Sequence, residues 1–277
     1  MIRLGTVAAV GFDDFDPPEW LGCWRRLGCQ VVQAYRNQQA DLSVRQIQDA
    51  VAAGGMPCDS LHGVFGEEYD PSCPDEAGRN FAVETYKREA ELCTALGGHL
   101  VVVHCSTIRR EGISPAEHRL RIAQLRESIV ELGEFGAGCG IQYAFENLPG
   151  YHAIGSDVAE LAGVLAEVDA PNTGMCYDSG HANMVGDPVA AARAVGGQMI
   201  YAHISDNSGR ADEHELITCG TIDAAALAAA LREIGYRGTF MLEVFYKADR
   251  LRRLIDEGAA ERLARLLRIA NGNEPLA

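Results

Sequence analysis

The sequence predicts a closed (β/α)8 barrel, the TIM-barrel fold, and three observations carry the prediction. Apolar strand-like runs alternate with amphipathic helical patterns from one end of the chain to the other. Eight such runs, each followed by a helical pattern, fit within about 250 residues, the length that barrel needs. No linker or shift in composition breaks the alternation, so residues 1–277 are expected to form one domain. An open doubly wound sheet gives the same alternation, but its Gly-rich dinucleotide turn is missing from VGFDDFDPPEW, the stretch after the first run.

The first run, RLGTVAAVG, leads into EWLGCWRRLG, where Trp20 and Trp24 lie one helical turn apart and read as core. CQVVQAY is followed by SVRQIQDAVAAGG, CDSLHGVF by NFAVETYKREAELCTALGG, and HLVVVHCS by AEHRLRIAQLRESIVELGEFGAG. IQYAFENL precedes SDVAELAGVLAEVD, TGMCYDSGH precedes DPVAAARAVGG, and MIYAHISDN precedes DAAALAAALREIGY. TFMLEVF is the last run, and RLRRLIDEGAAERLARLLRIA closes the chain as a helix that leaves a homo-oligomer open. Several of these patterns end in Gly, as helices with a left-handed cap do.

Composition narrows the partners. With 24 Lys and Arg against 39 Asp and Glu, the net charge is −15, which repels polyanions and argues against extended nucleic acid. Nine cysteines show no CxxC or zinc-knuckle spacing, and most of them read as small buried residues in a reducing compartment. Met1-Ile2-Arg3 runs straight into a strand pattern without a leader, and no apolar run approaches the ~20 residues of a membrane span. A cytoplasmic protein without membrane contact is expected.

In such a barrel, chemistry sits at the carboxyl ends of the strands. Those positions hold His62, His104, Glu146, Asp178, His203 and Glu243. One His or Glu at a strand end is ordinarily a hydrogen-bonded loop residue, but six converge here. Three carboxylates at a narrow mouth require positive charge, and no Lys or Arg sits at these strand ends. A divalent cation supplies it. Glu146, Asp178, His203 and Glu243 form a mixed oxygen and nitrogen set suited to Mn, Mg, Co or Zn. His181, three residues beyond Asp178, reaches the rim as substrate ligand, proton carrier or ligand of a second ion. The long stretch HISDNSGRADEHELITCGTID adds Arg210 as a substrate anchor and also carries Asp212 and His214. Asp206 and Glu213 read equally well as solvated charges. Phe12, Phe15, Phe65 and Tyr69 lie in loops that either wall the pocket or pack locally, and Lys247 reads as solvated.

The motifs FENLPG, YDSGHANM, AHISDN…GR…DEH…GTID and LEVF resemble those of the xylose isomerase-like barrel superfamily, and the similarity runs from the first strand to the last helix. That superfamily holds sugar and sugar-phosphate isomerases and epimerases, inosose-type dehydratases and endonuclease IV-type nucleases. Resemblance to the epimerase branch implies a divalent ion on Glu146, Asp178, His203 and Glu243, with His62, His104, His181 and Arg210 toward a small sugar, sugar phosphate or keto-polyol. Glu146 and Glu243 would then act as acid and base on opposite faces of a metal-stabilised enediolate. A keto-polyol dehydratase begins with the same proton abstraction. Resemblance to the nuclease branch implies a three-zinc cluster on His62, His104, Glu146, Asp178, His181, His203, Asp212, His214 and Glu243, acting on abasic DNA. Cys105-Ser106, DSGH and ITCGTID depart from the nuclease pattern, so isomerase or epimerase is the leading expectation.

Overall fold

The computed structural model describes residues 1–275 and is a closed barrel of eight parallel strands in chain order. The strands are β1 (Arg3–Val10), β2 (Val31–Arg36), β3 (Cys58–His62), β4 (Leu100–His104), β5 (Gln142–Glu146), β6 (Thr173–Asp178), β7 (Met199–Ile204) and β8 (Thr239–Leu242). β8 closes on β1 in a register from Arg3↔Thr239 to Thr6↔Leu242. Around it run α1 (Pro17–Arg26), α2 (Val44–Ala52), α3 (Glu76–Ala95), α4 (Pro115–Cys139), α5 (Val158–Val168), α6 (Ser179–Val185), α7 (Pro188–Val195), α8 (Ala224–Glu233), α9 (Ala248–Asp256) and α10 (Ala259–Ala270). No helix of the described residues is long and apolar enough to cross a membrane.

The helices start where the sequence provides an oxygen acceptor. From α1 to α8 each begins after an Asp or Ser whose side chain accepts a first-turn N–H. Two elements differ from the sequence reading. The closing helix is broken into α9 and α10 at Gly258, whose φ of 78° no helix interior accommodates. The segment after Asp178 is itself a short helix, α6, capped by the Asp178 carboxylate. Its polar composition hid it from periodicity.

Burial separates two layers. Trp20 and Trp24 lie in the shell between strands and helices, as expected of core residues. Inside the barrel, Val31, Leu100, Val102, Ala144, Tyr201 and Met241 fill the lumen, so it is a packed floor and not a pore. Toward the strand starts the buried Asp59 carboxylate accepts from Ser60 Oγ at 2.9 Å, Tyr201 OH at 3.0 Å and Thr239 Oγ1 at 2.6 Å. The β2–β3 register shifts between Val32 and Gln33, the kind of irregularity that re-aims a side chain. Gln33 is fully buried in that interior and links this polar floor to the mouth above it.

Candidate active site

The strand ends deliver the six residues to one place. His62, His104, Glu146 and Asp178 are the last residues of β3, β4, β5 and β6, His203 is the penultimate residue of β7, and Glu243 follows β8. Glu146, Asp178, His203 and Glu243 are all buried and each offers a ligand atom, all within 4.8 Å of one another. No Lys or Arg of the described residues pairs with these carboxylates. Glu146 Oε2, Asp178 Oδ2 and Glu243 Oε2 make no well-aligned hydrogen bond among the described residues, with imidazole nitrogens of His104 and His203 3.2 Å from the first and the last. A buried carboxylate oxygen without such a bond is expensive, so three aimed at one point fit a divalent cation. Cys176 also lies within reach of Glu146 and His203, a neighbour the sequence reading missed. Burial pushes its thiol up to about 12, so it stays protonated and supplies no thiolate.

Hydrogen bonds to the far ring nitrogens orient the imidazoles. His203 Nε2 lies 3.0 Å from Gln33 Oε1, while Gln33 Nε2 donates to Ser60 Oγ at 3.2 Å. Ser60 gives its own proton to Asp59. Gln33 must therefore present its carbonyl upward and accept the His203 Nε2–H, while Nδ1 faces Glu146 Oε1 at 2.7 Å and Glu243 Oε2 at 3.2 Å, where its own proton gives way to a cation when one binds. Backbone carbonyls do the same elsewhere, since they only accept. His62 Nδ1 donates to Gly63 O at 2.9 Å, His181 Nδ1 to Asn147 O at 2.8 Å and His214 Nδ1 to Glu243 O at 3.0 Å. Each Nε2 is then turned toward the mouth, the orientation metal-ligating histidines favour.

Asp178 and His181 are fixed together. Asp178 Oδ1 accepts His181 N at 2.6 Å, and the Asn147 side chain clamps the Asp178 backbone, accepting its N–H at 2.8 Å and donating to its carbonyl at 2.9 Å. A Cβ on Gly180 would run into Ser205 Oγ, which explains the glycine between them. The loop after β7 is likewise built. Asp206, for which the sequence allows a solvated charge as one of two even alternatives, is fully buried and accepts N–H groups from Thr218, Gly220 and Ile222. Glu213 is exposed and accepts Ser208 N. The loop holds His214 at φ 45°, an uncommon conformation for a side-chain-bearing residue. It brings Asp212 Oδ2 to 3.4 Å from His181 Nε2 and Asp212 Oδ1 to 3.3 Å from His214 Nε2.

These contacts set the charges. Burial alone would lower His203, but the Glu243 and Glu146 carboxylates outweigh it and raise the imidazole well above its usual range. Burial opposes ionisation of Glu243, yet His203 draws it down to about 2, and His203 with His104 likewise holds Glu146 well below the carboxylate range. Asp178 goes the other way, to about 7, because burial and the two neighbouring glutamates exceed the pull of His181. Against burial, Asp178 raises His181 to about 10, and Asp212 raises His214 to about 9. His62 falls to about 4 through burial and His104 and is neutral.

Above the cluster is a cavity of about 450 Å³ walled by Tyr35, Phe65, Tyr151, His152 and Phe245. Phe65 lines it as one of the two sequence alternatives had it, whereas Phe15 packs on Trp20 at 4.6 Å. Arg210 is exposed and does not line this cavity. The guanidinium there belongs to Arg109, stacked 4.4 Å over the Tyr151 ring. Lys247 is exposed and pairs with Asp14. Sequence reading passed over Gln33 and Asn147. The signals were a glutamine inside the apolar run CQVVQAY and the asparagine after Glu146.

A family model described as the xylose isomerase-like TIM barrel matches residues 7–269. The chain belongs to that family. Curated proteins resemble it at modest identity. An uncharacterized protein of Methanocaldococcus jannaschii is 28% identical over 191 residues, 66% of this chain and 63% of that protein. An L-ribulose 3-epimerase of a Methylomonas species is 27% identical over 166 residues, 58% of this chain and 55% of its own length. The matched stretch thus spans less than two thirds of either relative. Among solved structures, a D-tagatose 3-epimerase-like protein superposes with a TM-score of 0.74 at 21% identity, covering 98% of this chain and 99% of that one. A 3-keto-D-glucoside 4-epimerase from E. coli gives 0.74 at 18%, covering 96% and 99%.

Proposed function

We propose that this protein is a divalent-metal-dependent epimerase of a small keto-sugar. The observation that carries the reading is the pair Glu146 and Glu243. They stand on strands three apart around the barrel, both buried, both favoured as carboxylates, and each with an oxygen that makes no well-aligned hydrogen bond. The relatives named as sugar epimerases support the same direction.

Glu146, Asp178, His203 and Glu243 would hold the cation, Mn, Mg, Co or Zn. When bound, it supplies Lewis-acid stabilisation of negative charge developing on the substrate's oxygens. The chain's own groups do the proton work. A proton next to a carbonyl is weakly acidic, so it is taken by a carboxylate that stays ionised at neutral pH, which Glu243 and Glu146 both do. Inversion needs a proton on the other face, which the second glutamate would relay from solvent water or a substrate hydroxyl while the first keeps the proton it removed. Neutral His62, with Nε2 3.8 Å from both Glu146 Oε2 and Glu243 Oε1, lies between them as a hydrogen-bond acceptor for a substrate hydroxyl. His104 and His181 close the sides. Arg109 is the one guanidinium or ammonium group lining the cavity among the described residues, and the His181 and His214 imidazoles there are paired with Asp212, so no free cluster of cations awaits a phosphate and a neutral sugar is favoured.

The test is solvent exchange. Incubation of the Mn-loaded protein with ketoses in D2O should place deuterium on the carbon beside the carbonyl and yield the epimer. A panel of ketopentoses and ketohexoses that shows neither exchange nor epimer contradicts the proposal.

A second reading rests on the histidines. His62, His104 and Glu146 form one candidate group, His181, Asp212 and His214 another, on either side of the four-residue set. Three ions on these groups would suit phosphodiester hydrolysis at abasic sites. Three zinc ions per chain together with cleavage of an abasic oligonucleotide, without sugar exchange, would select that reading.

A further inference from the structure

The cavity over the carboxylates continues sideways. A second hollow of about 320 Å³ opens beside it, and the two share Tyr35 and Phe65 as a common wall. Aromatic rings connect them. Phe12 lies 6.0 Å from Tyr35, Tyr35 lies 6.4 Å from Phe65 and 4.8 Å from His62, and Phe65 stacks 5.0 Å from His104. A ligand seated in the first cavity against His62 and His104 would enter the hollow by extending past the Tyr35 and Phe65 rings.

The chemistry of the hollow decides what extends into it. Arg36 lines it, but both of its terminal nitrogens lie 2.7 Å from the Glu89 carboxylate, so its charge is neutralised. Glu68 adds an anion. A phosphate or carboxylate would thus face net negative surroundings. The remaining polar lining is amide. Gln38 Oε1 accepts Phe65 N at 3.0 Å, and no acceptor for its Nε2 hydrogens is found among the described residues. The Gln39 side chain, also in the lining, is exposed. Amides that both donate and accept match neutral hydroxyls, while aromatic faces cover the C–H faces of a saturated ring.

We infer that the substrate is a glycoside of a keto-sugar, with its keto end over Glu146 and Glu243 and a second, neutral sugar ring in the hollow bounded by Tyr35, Phe65, Gln38 and Gln39. The inference rests on the proposed epimerase reading for the reacting end only; the second-ring site stands on the hollow.

The test compares D-fructose with its 4-O- and 6-O-glucosides, using the full chain loaded with Mn in D2O and NMR of deuterium incorporation. One glucoside is expected to exceed the free ketose in kcat/KM by about tenfold or more, and Gln39→Trp, which fills the hollow, is expected to cut that ratio about tenfold. Equal values for ketose and glucosides, or a ratio unmoved by Gln39→Trp, overturn the second-ring site and leave the epimerase reading intact. If no sugar exchanges, saturation-transfer NMR on the same compounds decides. Transfer to the glucosyl ring that Gln39→Trp removes supports the site while rejecting the reaction, and no transfer to that ring overturns the site.

Discussion

Replacing Gln33 by Met isolates the role of the hydrogen bond beneath His203. Methionine fills similar volume but cannot accept a proton, so the His203 Nε2–H, now 3.0 Å from Gln33 Oε1 and fully buried, loses its partner. Leaving a buried donor unsatisfied costs about 1–3 kcal/mol. A cation at Nδ1 must displace the proton held there toward Glu146 Oε1 at 2.7 Å and leave the ring's remaining proton on Nε2, so without Gln33 the neutral ring keeps its proton on Nδ1 instead. That tautomer has no lone pair for a cation. Metal affinity should therefore fall about 10- to 100-fold, the usual effect of losing such a support, which converts to roughly 1.4–2.7 kcal/mol and matches the hydrogen-bond figure. A competition titration of Mn or Co against a chromophoric chelator measures it. Gln33→Glu keeps an acceptor and should retain most of the affinity, separating orientation from packing. Wild-type affinity in Gln33→Met would refute the tautomer argument.

Two further outcomes follow from the same geometry. Glu146→Gln and Glu243→Gln should each reduce solvent deuterium exchange into a ketose by about 10²- to 10⁴-fold with the circular dichroism spectrum unchanged, the range for losing a positioned acid or base; full activity in either variant would remove that glutamate from the reaction. In chelator-treated protein, His181 at about 10 and His214 at about 9 lie above the unfolded value of 6.5, so the folded state holds more protons than the unfolded state. Their stabilisation is complete below pH 6.5 and is lost as pH rises toward 9–10, so the metal-free melting temperature should fall from pH 7 to 9, whereas a flat or rising profile contradicts those protonation states.

Much of this was legible in the sequence because strand-end chemistry leaves a linear trace. In a barrel, the last residue of an apolar run points to one mouth, so His62, His104, Glu146 and Asp178 could be placed from chain position alone. The eight strands were equally plain, since buried parallel strands read as unbroken apolar runs. Loop geometry leaves no such trace. Asp206 is a charged residue in a polar stretch, and only folding shows it gathering backbone N–H groups from across a turn. Arg210 and Arg109 are indistinguishable as loop arginines until the loops have a course, and that course exposes the first and stacks the second on Tyr151. Gln33 was visible but unread, because a polar residue facing the barrel lumen has meaning only once His203 sits above it.

The central claim is that the carboxylates of β5, β6 and β8 share the barrel mouth because a cation joins them there. Equilibrium dialysis against Mn or Zn, followed by elemental analysis of wild type and of a Glu146→Gln/Asp178→Asn double variant, tests it most directly. At least one tightly held divalent ion per chain is expected in the wild type and its loss in the folded variant. A wild-type chain that retains no ion, or a variant that holds it equally well, would contradict the account.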